Sequence, residues 1–364
     1  MIGRREAITL LGGAAVAWPL AARAQAKVYA IGILETVPRA QNQANFAALL
    51  NGLRELGYVE GQNLHIDYRS ADGQGERFPE LVAELVRNRV DLIVTRGTPA
   101  ARAAKAATTT VPIVMAAIGE PLGVGVVASL AHPGGNVTGL SAFVTELSGK
   151  RIELLKETFP SVSTVGFLNN LGNPVAPPQW EATRAVASQL RLTAELFDVR
   201  SEADIVQAFS TMVDKRLGAL SVGIDFLIQA HAARIVELAA QQRIPTAYPT
   251  REMVEIGGLL SYGVNYPRLY FRAAGLIDKI FKGASPGDLP VEQPTKLELL
   301  VNLRTAKALG IELPPTLIAR ADEVIECNGA SSPHCLAARR PFRCFGRSQR
   351  MLSSRRGPES VHSS

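Results

Sequence analysis

Short apolar or alternating runs are separated by amphipathic stretches along most of the chain. The runs typical of strands lie at residues 28–34, 64–68, 91–94, 112–117, 164–168, 192–197, 219–222 and 245–247. Stretches with apolar residues at helical spacing lie at residues 42–56, 80–87, 100–107, 121–130, 146–158, 179–190, 202–215 and 227–242. Strands that alternate with helices in this way predict parallel sheets covered by helices on both faces.

The alternation is interrupted by a Pro/Gly-rich turn at residues 133–136 and restarts after a strand at 137–143. We expect residues 259–261 to form a strand that returns toward the first unit, and residues 269–281 to form a helix that completes it. The predicted fold class is therefore α/β, with two doubly wound parallel-sheet lobes joined by a multi-strand hinge. The expected division is residues 25–140 plus 264–284 for lobe 1 and residues 141–263 plus 285–326 for lobe 2.

The passage from strand to helix at residues 91–107 indicates where a ligand would bind. Thr98 is a typical N-cap residue, and Pro99 suits the first helical position. The first amides of such a helix point beyond the carboxyl end of the strand, where open α/β sheets bind ligands and where the helix dipole favours an anion. We therefore predict a carboxylate site at the Gly97-Thr98-Pro99 turn. The alternative is that Thr98 and Pro99 only start the helix.

Short polar side chains, amides and aromatic rings also occupy the other loops that follow strands. Such a set can hold a small zwitterion, because amides and hydroxyls suit a carboxylate, a carboxylate suits an ammonium, and aromatic faces suit the remainder. For each residue alone, ordinary turn chemistry is an equally good explanation. The candidate ligand-binding residues are Thr36, Gly97, Thr98, Pro99, Glu120, Pro121, Ser141, Phe143, Asn169, Asn170, Asn173, Asp225, Tyr248 and Tyr262.

The charges are unevenly distributed along the 364 residues. The chain is 47% hydrophobic, which is enough for two domains with cores of their own. The formal net charge of +6 arises at the ends, because residues 1–24 carry about +2 and residues 327–364 about +6, which leaves about −2 for the middle. The body therefore gives no reason to expect a nucleic-acid partner.

The beginning of the chain has the composition of a targeting segment. Arg4 and Arg5 precede an uncharged apolar run at residues 7–20 and a small-x-small site at residues 22–24. We predict a signal peptide at residues 1–24, cleaved near Ala24, and export to the periplasm by either the Sec or the twin-arginine route. The apolar run is too short to span a membrane.

The last 38 residues, 327–364, differ from the body in composition. They hold all three cysteines, Cys327, Cys335 and Cys344, at a spacing that matches no zinc pattern. They are rich in Ser, Arg, Gly and Pro and have no sustained apolar period. We therefore expect a disordered tail.

The body carries no recognisable catalytic set. It has no G-x-S-x-G, P-loop or H-E-x-x-H motif, and His65, His132 and His231 have no suitable partner nearby in the sequence. Residues 123–128 match the dinucleotide pattern G-x-G-x-x-A, but the glycines fall inside a predicted helix. We predict a protein that is not an enzyme and uses no metal or cofactor. An exported α/β enzyme, including one that binds a nicotinamide nucleotide, is the less favoured alternative.

Several longer stretches of residues 27–326 match a known family in sequence and in order. They include LRELGYVEGQN (53–63), GTPAARAAKAATTTVPIV (97–114), VASLAHPGGNVTGLS (127–141), GGLLSYG (257–263), DLPVEQPTKLEL (288–299) and ARADEVIE (319–326). With these stretches the chain resembles the periplasmic substrate-binding proteins of ABC transporters, in the group related to tryptophan- and tyrosine-binding components. Two departures, Glu120 in place of an aspartate and a longer loop at residues 169–173, bear on the ligand more than on the fold.

The resemblance implies a type I periplasmic-binding fold in which two lobes close over a solute and perform no chemistry. It places the following candidates in cleft loops: Thr98, Glu120, Pro121, Ser141, Asn173, Asp225 and Tyr262. It further implies a monomer that binds a small-molecule solute, such as an amino acid or related carboxylate, and delivers it to an ABC permease in the inner membrane. The alternative left open is an extracytoplasmic ligand-sensing module for a membrane receptor.

Overall fold

The structure is a computed structural model and describes residues 27–326, so the predicted signal peptide at 1–24 and tail at 327–364 lie outside the described residues. Its strands are β1 (Tyr29–Glu35), β2 (Leu64–Ser70), β3 (Leu92–Arg96), β4 (Ile113–Ile118), β5 (Val137–Ser141), β6 (Thr164–Asn169), β7 (Thr193–Asp198), β8 (Ala219–Val222), β9 (Thr246–Tyr248), β10 (Leu260–Val264), β11 (Leu297–Asn302) and β12 (Glu323–Ile325). Its helices are α1 (Gln43–Glu55), α2 (Phe78–Arg87), α3 (Thr98–Ala107), α4 (Val144–Thr158), α5 (Ala176–Gln189), α6 (Glu202–Asp214), α7 (Phe226–Ala230), α8 (Ala232–Gln241), α9 (Arg251–Glu255), α10 (Tyr266–Phe281), α11 (Leu303–Leu309) and α12 (Pro315–Arg320). Short 3-10 turns lie at Gly75–Arg77 and Pro286–Asp288.

The strands form two sheets, in the order β2-β1-β3-β4-β5 and β12-β11-β10-β9-β8-β6-β7. The first sheet is parallel throughout. The second is parallel except that β11 runs antiparallel to β10. The predicted fold class of two parallel-sheet α/β lobes is confirmed, with this one antiparallel pair as an addition.

Helices cover both faces of each sheet, because the central strands bury the side chains of both faces. All five residues of β3 and all six of β4 are buried, as expected of strands inside a parallel sheet. In the first sheet, α1 and α10 pack on one face and α2 and α3 on the other. In the second sheet, α4 and α5 cover one face, and α6 and α8 cover the other.

The order of strands reverses beside β1 in the first sheet and beside β6 in the second. In open α/β sheets a ligand binds beyond the carboxyl ends of the strands that flank such a reversal. The loops after β1 and β3 in the first lobe, and after β6 and β8 in the second, are therefore where the fold alone predicts a site.

The chain crosses between the two sheets after β5, after β10 and before β11. Before the third crossing, residues 285–292 run along the first sheet: Leu140 and Glu292 form a parallel bridge, and the Glu292 N–H donates to the Gly139 carbonyl at 2.8 Å. The expected division assigned this segment to lobe 2. The exact division into lobes remains a proposal, and these contacts favour including residues 285–292 in lobe 1.

The predicted helix at residues 121–130 is wrong, because this segment folds as a turn. One turn closes where the Val124 N–H donates to the Glu120 carbonyl at 3.1 Å, and Gly125, with a φ of 69°, ends it. The Lys105 ammonium group donates to the Gly125 and Val126 carbonyls, both at 2.9 Å, and holds the turn. The G-x-G-x-x-A pattern therefore does not lie at the start of a helix, as a dinucleotide site requires.

Two further sequence expectations need correction. The helix predicted at residues 227–242 is interrupted at His231 and forms the separate helices α7 and α8. The strand expected at 259–261 does not return to the first sheet, because β10 pairs with β9 and β11 inside the second. The short elements α9, α12 and β12 were not predicted.

Candidate functional site

Two adjoining cavities lie between the lobes in the described part of the chain. The smaller has a volume of about 40 Å³ and lies among the loops that follow β1, β3, β6 and β8. The larger, of about 330 Å³, is lined by α1 and the loop before it from the first lobe, and by α7, α8 and α9 from the second. Four residues line both cavities: Arg96, Ile224, Asp225 and Gln229. A solute in this cleft would contact both lobes.

Asp225 is the carboxylate at the junction of the two cavities. It is 3% exposed and precedes α7 as its N-cap, so that Oδ1 accepts from the Leu227 and Ile228 N–H groups at 2.7 and 3.4 Å. Burial raises the pKa of Asp225, although hydrogen bonds from Asn173, Leu227, Asn170 and Ile228 oppose that rise. The carboxylate therefore lies in a desolvated position where a cationic ligand group would be a favourable partner.

The loop after β6 positions Asp225 from the opposite side. Asn173 Nδ2 donates to Asp225 Oδ2 at 2.9 Å, and Asn170 Nδ2 donates to Oδ1 at 3.3 Å. Asn169 is fully buried behind them and accepts from the Asn170 N–H at 2.9 Å. Within the described residues, Asp225 Oδ2 accepts a hydrogen bond from Asn173 alone, so it retains a lone pair for a ligand donor.

The first lobe contributes the start of α3. Gly97, rather than the predicted Thr98, is the N-cap of α3. Its φ of 81° and ψ of 157° suit glycine, and no side chain of residues 27–326 caps the helix. Thr98 is buried, and its hydroxyl donates to the Gly119 carbonyl at 2.9 Å. Because that hydroxyl is engaged, the anion-binding capacity of this turn lies in the backbone amides and the helix dipole. Gly97, Thr98 and Pro99 all line the smaller cavity.

A buried charged cluster lies beside that turn. Arg96, which is 6% exposed, donates to Asn42 Oδ1 at 3.1 Å and stacks over the Tyr266 ring at 4.7 Å from its centroid. Burial raises the pKa of the Glu35 carboxyl, while Arg96 and a hydrogen bond from the Tyr270 hydroxyl oppose that rise. Arg96 lines both cavities and supplies a fixed positive charge at the junction.

Direct contacts across the cleft show that the lobes are closed. Thr36, after β1, donates from its hydroxyl to Gln229 Oε1 in α7 at 2.8 Å. Phe78 of the first lobe meets Phe226 edge to face, with ring centroids 6.3 Å apart. The helix α7 therefore contacts the first lobe directly across the cleft.

The remaining sequence candidates lie outside the walls of the two cavities. Ser141 belongs to β5, where its N–H donates to the Glu292 carbonyl at 2.9 Å, and Phe143 has a φ of 48° at the start of α4. Tyr248 is 1% exposed in the core of the second lobe. All three side chains therefore belong to the packing and backbone structure of the lobes rather than to the cavity walls.

Three further candidates are also absent from those walls. Glu120, with a φ of 47°, and Pro121 begin the turn that replaces the predicted helix. Tyr262 lies in β10 and packs against the cores of both lobes. Of the fourteen candidates, those that do line the smaller cavity are Thr36, Gly97, Thr98, Pro99, Asn173 and Asp225.

Several cleft residues were missed by the sequence reasoning. They are Arg96, Tyr266, Gln229 and Glu252. Gln229 lies inside a helix, a position that carries no sequence signal for a site. Arg96 stands beside the predicted Gly97-Thr98-Pro99 turn, and its place at the carboxyl end of β3 was the one available indication.

The described residues offer no sign of a metal centre or a membrane anchor. Within residues 27–326, no group of three or more His, Cys, Asp or Glu side chains is placed to hold a metal ion. No helix in the same range is long and apolar enough to cross a membrane.

Two α/β lobes that close over a cleft lined from both sides are the architecture of a solute-binding protein. The family described as ABC transporter substrate binding protein matches residues 30–325, and the chain belongs to that family. The family binds solutes and is not enzymatic, so the prediction that this protein is not an enzyme is confirmed.

Relatives with known properties extend the comparison. The chain is 29% identical over 282 residues to a tyrosine-binding protein of Clostridioides difficile, covering 78% of this chain and 81% of the relative. It is 32% identical, with a TM-score of 0.76, to an ABC domain from Streptococcus pneumoniae in complex with L-Trp, covering 82% of this chain and 100% of that structure. A ligand-free, open substrate-binding protein with adhesive properties from Clostridium difficile is 28% identical with a TM-score of 0.60, at 82% and 99% coverage.

Proposed function

We propose that this protein is the exported, monomeric solute-binding component of an ABC importer, and that its solute is an amino acid or a closely related zwitterion. The observation that carries the proposal is the pairing, across one small cavity, of the buried Asp225 carboxylate with the start of α3. The two groups suit the ammonium and the carboxylate of an α-amino acid. The tyrosine-binding and L-Trp-bound relatives support this solute class.

The rest of the function follows from what such a protein does after binding. Closure over the solute presents one defined surface of the two lobes to a permease in the inner membrane, which accepts the solute when the lobes reopen. The signal peptide predicted at residues 1–24 would deliver the chain to the periplasm, where solute and permease meet.

A thermal-shift screen of the full chain against the twenty protein amino acids, simple sugars and nucleosides tests this proposal. A solute that binds only the folded state increases the free energy of unfolding by about 2.7 kcal/mol when it is present at a hundred times its dissociation constant. The melting temperature rises as a result. We expect at least one amino acid to raise the melting temperature. A shift caused only by sugars or nucleosides would contradict the proposed solute class.

A further inference from the structure

The two cavities differ in size, so each can hold a different part of a solute. The smaller cavity, of about 40 Å³, has room for a few water-sized groups and therefore for no more than the ammonium and carboxylate head of an amino acid. The larger cavity, of about 330 Å³, adjoins it through the shared wall at Arg96, Asp225 and Gln229, and lies within the size range of small-ligand sites. A side chain attached to a head group held at Asp225 would enter the larger cavity.

Most of the larger cavity is apolar, but its wall contains the carboxylate of Glu252, which has no hydrogen-bond donor among the described residues. Its apolar wall includes Val37, Ile228 and Met253. Both Glu252 oxygens are shielded from solvent and accept no hydrogen bond from the described residues. Asn45 Oδ1, on the opposite wall, is also shielded from solvent and also lacks a hydrogen-bond donor among the described residues. These atoms are all acceptors, so the group that complements them is a hydrogen-bond donor.

Within residues 27–326, no Lys or Arg side chain forms a hydrogen bond or an ion pair with Glu252, although the Glu252 charge attracts Arg96 and helps to raise the pKa of that guanidinium. Arg251, the neighbour in sequence, forms ion pairs with Glu255, Glu298 and Glu323, at 3.0, 3.2 and 2.8 Å. Arg96 lines the cavity and has an unpaired Nε of its own, but its guanidinium is held by Asn42 and Tyr266 on the first lobe.

The charges of the cavity walls also favour a donor. Two carboxylates, Asp225 and Glu252, face one guanidinium, Arg96, which additionally has Glu35 beside it. A head-group ammonium at Asp225 leaves Glu252 in need of a second donor. A desolvated carboxylate without a partner is costly, and a ligand N–H or O–H group would remove that cost.

We propose that the larger cavity holds the solute's side chain and that Glu252, assisted by Asn45, accepts a hydrogen bond from an N–H or O–H donor at the end of that side chain. This inference rests on the proposed function and narrows its solute class to amino acids whose side chains end in a donor. A charged donor such as an ammonium forms a stronger hydrogen bond to a carboxylate than a neutral one.

Calorimetric titration of the full chain tests this with two pairs of amino acids that differ in the terminal donor: L-tyrosine with L-phenylalanine, and L-lysine with L-norleucine. We expect the donor-bearing member of at least one pair to bind at least about tenfold more tightly. Glu252→Met, which keeps the length of the side chain and removes both acceptors, should abolish that preference. The matched control is Glu255→Gln on the same helix, an exposed residue that pairs with Arg251 outside the cavity and should leave the preference intact.

A second, milder substitution keeps the test valid if the Glu252→Met protein does not fold. Glu252→Gln keeps the shape and one acceptor, so it should weaken the preference without abolishing binding of the non-donor member. Binding with no preference for a donor, or a preference that survives Glu252→Met in folded protein, would overturn this inference alone. Failure of every amino acid in the earlier thermal screen would overturn the proposed function and the inference with it.

Discussion

At the scale of single residues, the proposed site centres on one carboxylate that is held by four donors. Asn170, Asn173 and the N–H groups of Leu227 and Ile228 fix Asp225 at the junction of the cavities. Rigid support of this kind makes a binding group effective, because little ordering remains to be done when the solute arrives. The carboxylate was predictable from its place after a buried strand.

Replacing that carboxylate should remove most of the affinity for amino acids. Asp225→Asn preserves the size of the side chain and its ability to cap α7, but it leaves the solute's ammonium without a charged partner. We expect affinity to fall by about thirtyfold or more, since truncating one side of a buried charge pair costs about 2 kcal/mol or more. Asp198→Asn is the matched control, because Asp198 accepts from the same loop at the Leu171 N–H, 2.8 Å away, and does not line either cavity. Titration calorimetry that gave equal affinity for Asp225→Asn and wild type would contradict the assigned role.

The raised pKa of Asp225 predicts opposite effects of acid on stability and on binding. The folded state holds a proton on this carboxyl more readily than the unfolded state does, so its contribution to stability rises as pH falls through the folded pKa and is lost as pH rises. Binding of an ammonium needs the ionised carboxylate, so affinity should weaken over the same window, which lies above the ordinary aspartate value of about 3.9. Melting curves and titrations of wild type and Asp225→Asn across this range measure both effects. A solute affinity that rises on acidification would be incompatible with the proposed ammonium contact.

The sequence predicted the cavity residues that lie in loops after strands better than those that lie within strands and helices. Thr36, Gly97, Asn173 and Asp225 were predicted because they follow strands, and they line the smaller cavity because the ends of parallel strands meet at one edge of a sheet. Arg96 also ends a strand, but its burial was not predictable, since charged residues are seldom buried and this one depends on Asn42, Tyr266 and Glu35 from distant parts of the chain.

At the scale of secondary-structure elements, α7 makes two contacts that join the lobes across the cleft. This helix carries Gln229, which bonds to Thr36, and Phe226, which packs on the 3-10 turn before α2. At Gly75 in that turn, an added Cβ would lie 2.8 Å from Cζ of Phe226. The lack of a side chain at Gly75 therefore permits the closed arrangement.

A side chain at this position should disfavour closure while leaving each lobe folded. We expect Gly75→Ala to weaken solute binding by about tenfold, or about 1.4 kcal/mol, because overpacking of a close contact costs about 1 to 3 kcal/mol. The Phe226→Leu change should restore affinity in the double variant, since it shortens the side chain at the contact. Gly275→Ala on α10, where an added Cβ meets nothing within 4 Å, is the matched control. Unchanged affinity and unchanged solution scattering for Gly75→Ala would show that this contact does not govern closure.

The elements that the sequence failed to predict are short or depend on tertiary contacts. The α9 and α12 helices have five and six residues, and β12 has three, too few for a periodic signal. The 121–130 segment has helical spacing, but Lys105 and the left-handed Gly125 favour a turn. Long, strongly periodic elements such as α1 and the buried strand β4 were predicted correctly because burial imposes their pattern.

At the scale of the whole molecule, two lobes joined by three crossings suit the proposed closure over a solute. The higher TM-score to the L-Trp complex than to the ligand-free, open relative, 0.76 against 0.60 at similar identity and coverage, agrees with the closed arrangement seen here. A solute that contacts both lobes favours the closed population by the difference in its affinity for the closed and open forms.

A crystal structure of the full chain with the amino acid that gives the largest thermal shift would test this account most directly. The account predicts one solute molecule between the lobes, with its ammonium within about 3.2 Å of the Asp225 carboxylate, its carboxylate at the start of α3, and its side chain in the larger cavity. A solute bound outside the cleft, or oriented with its carboxylate toward Asp225, would contradict it.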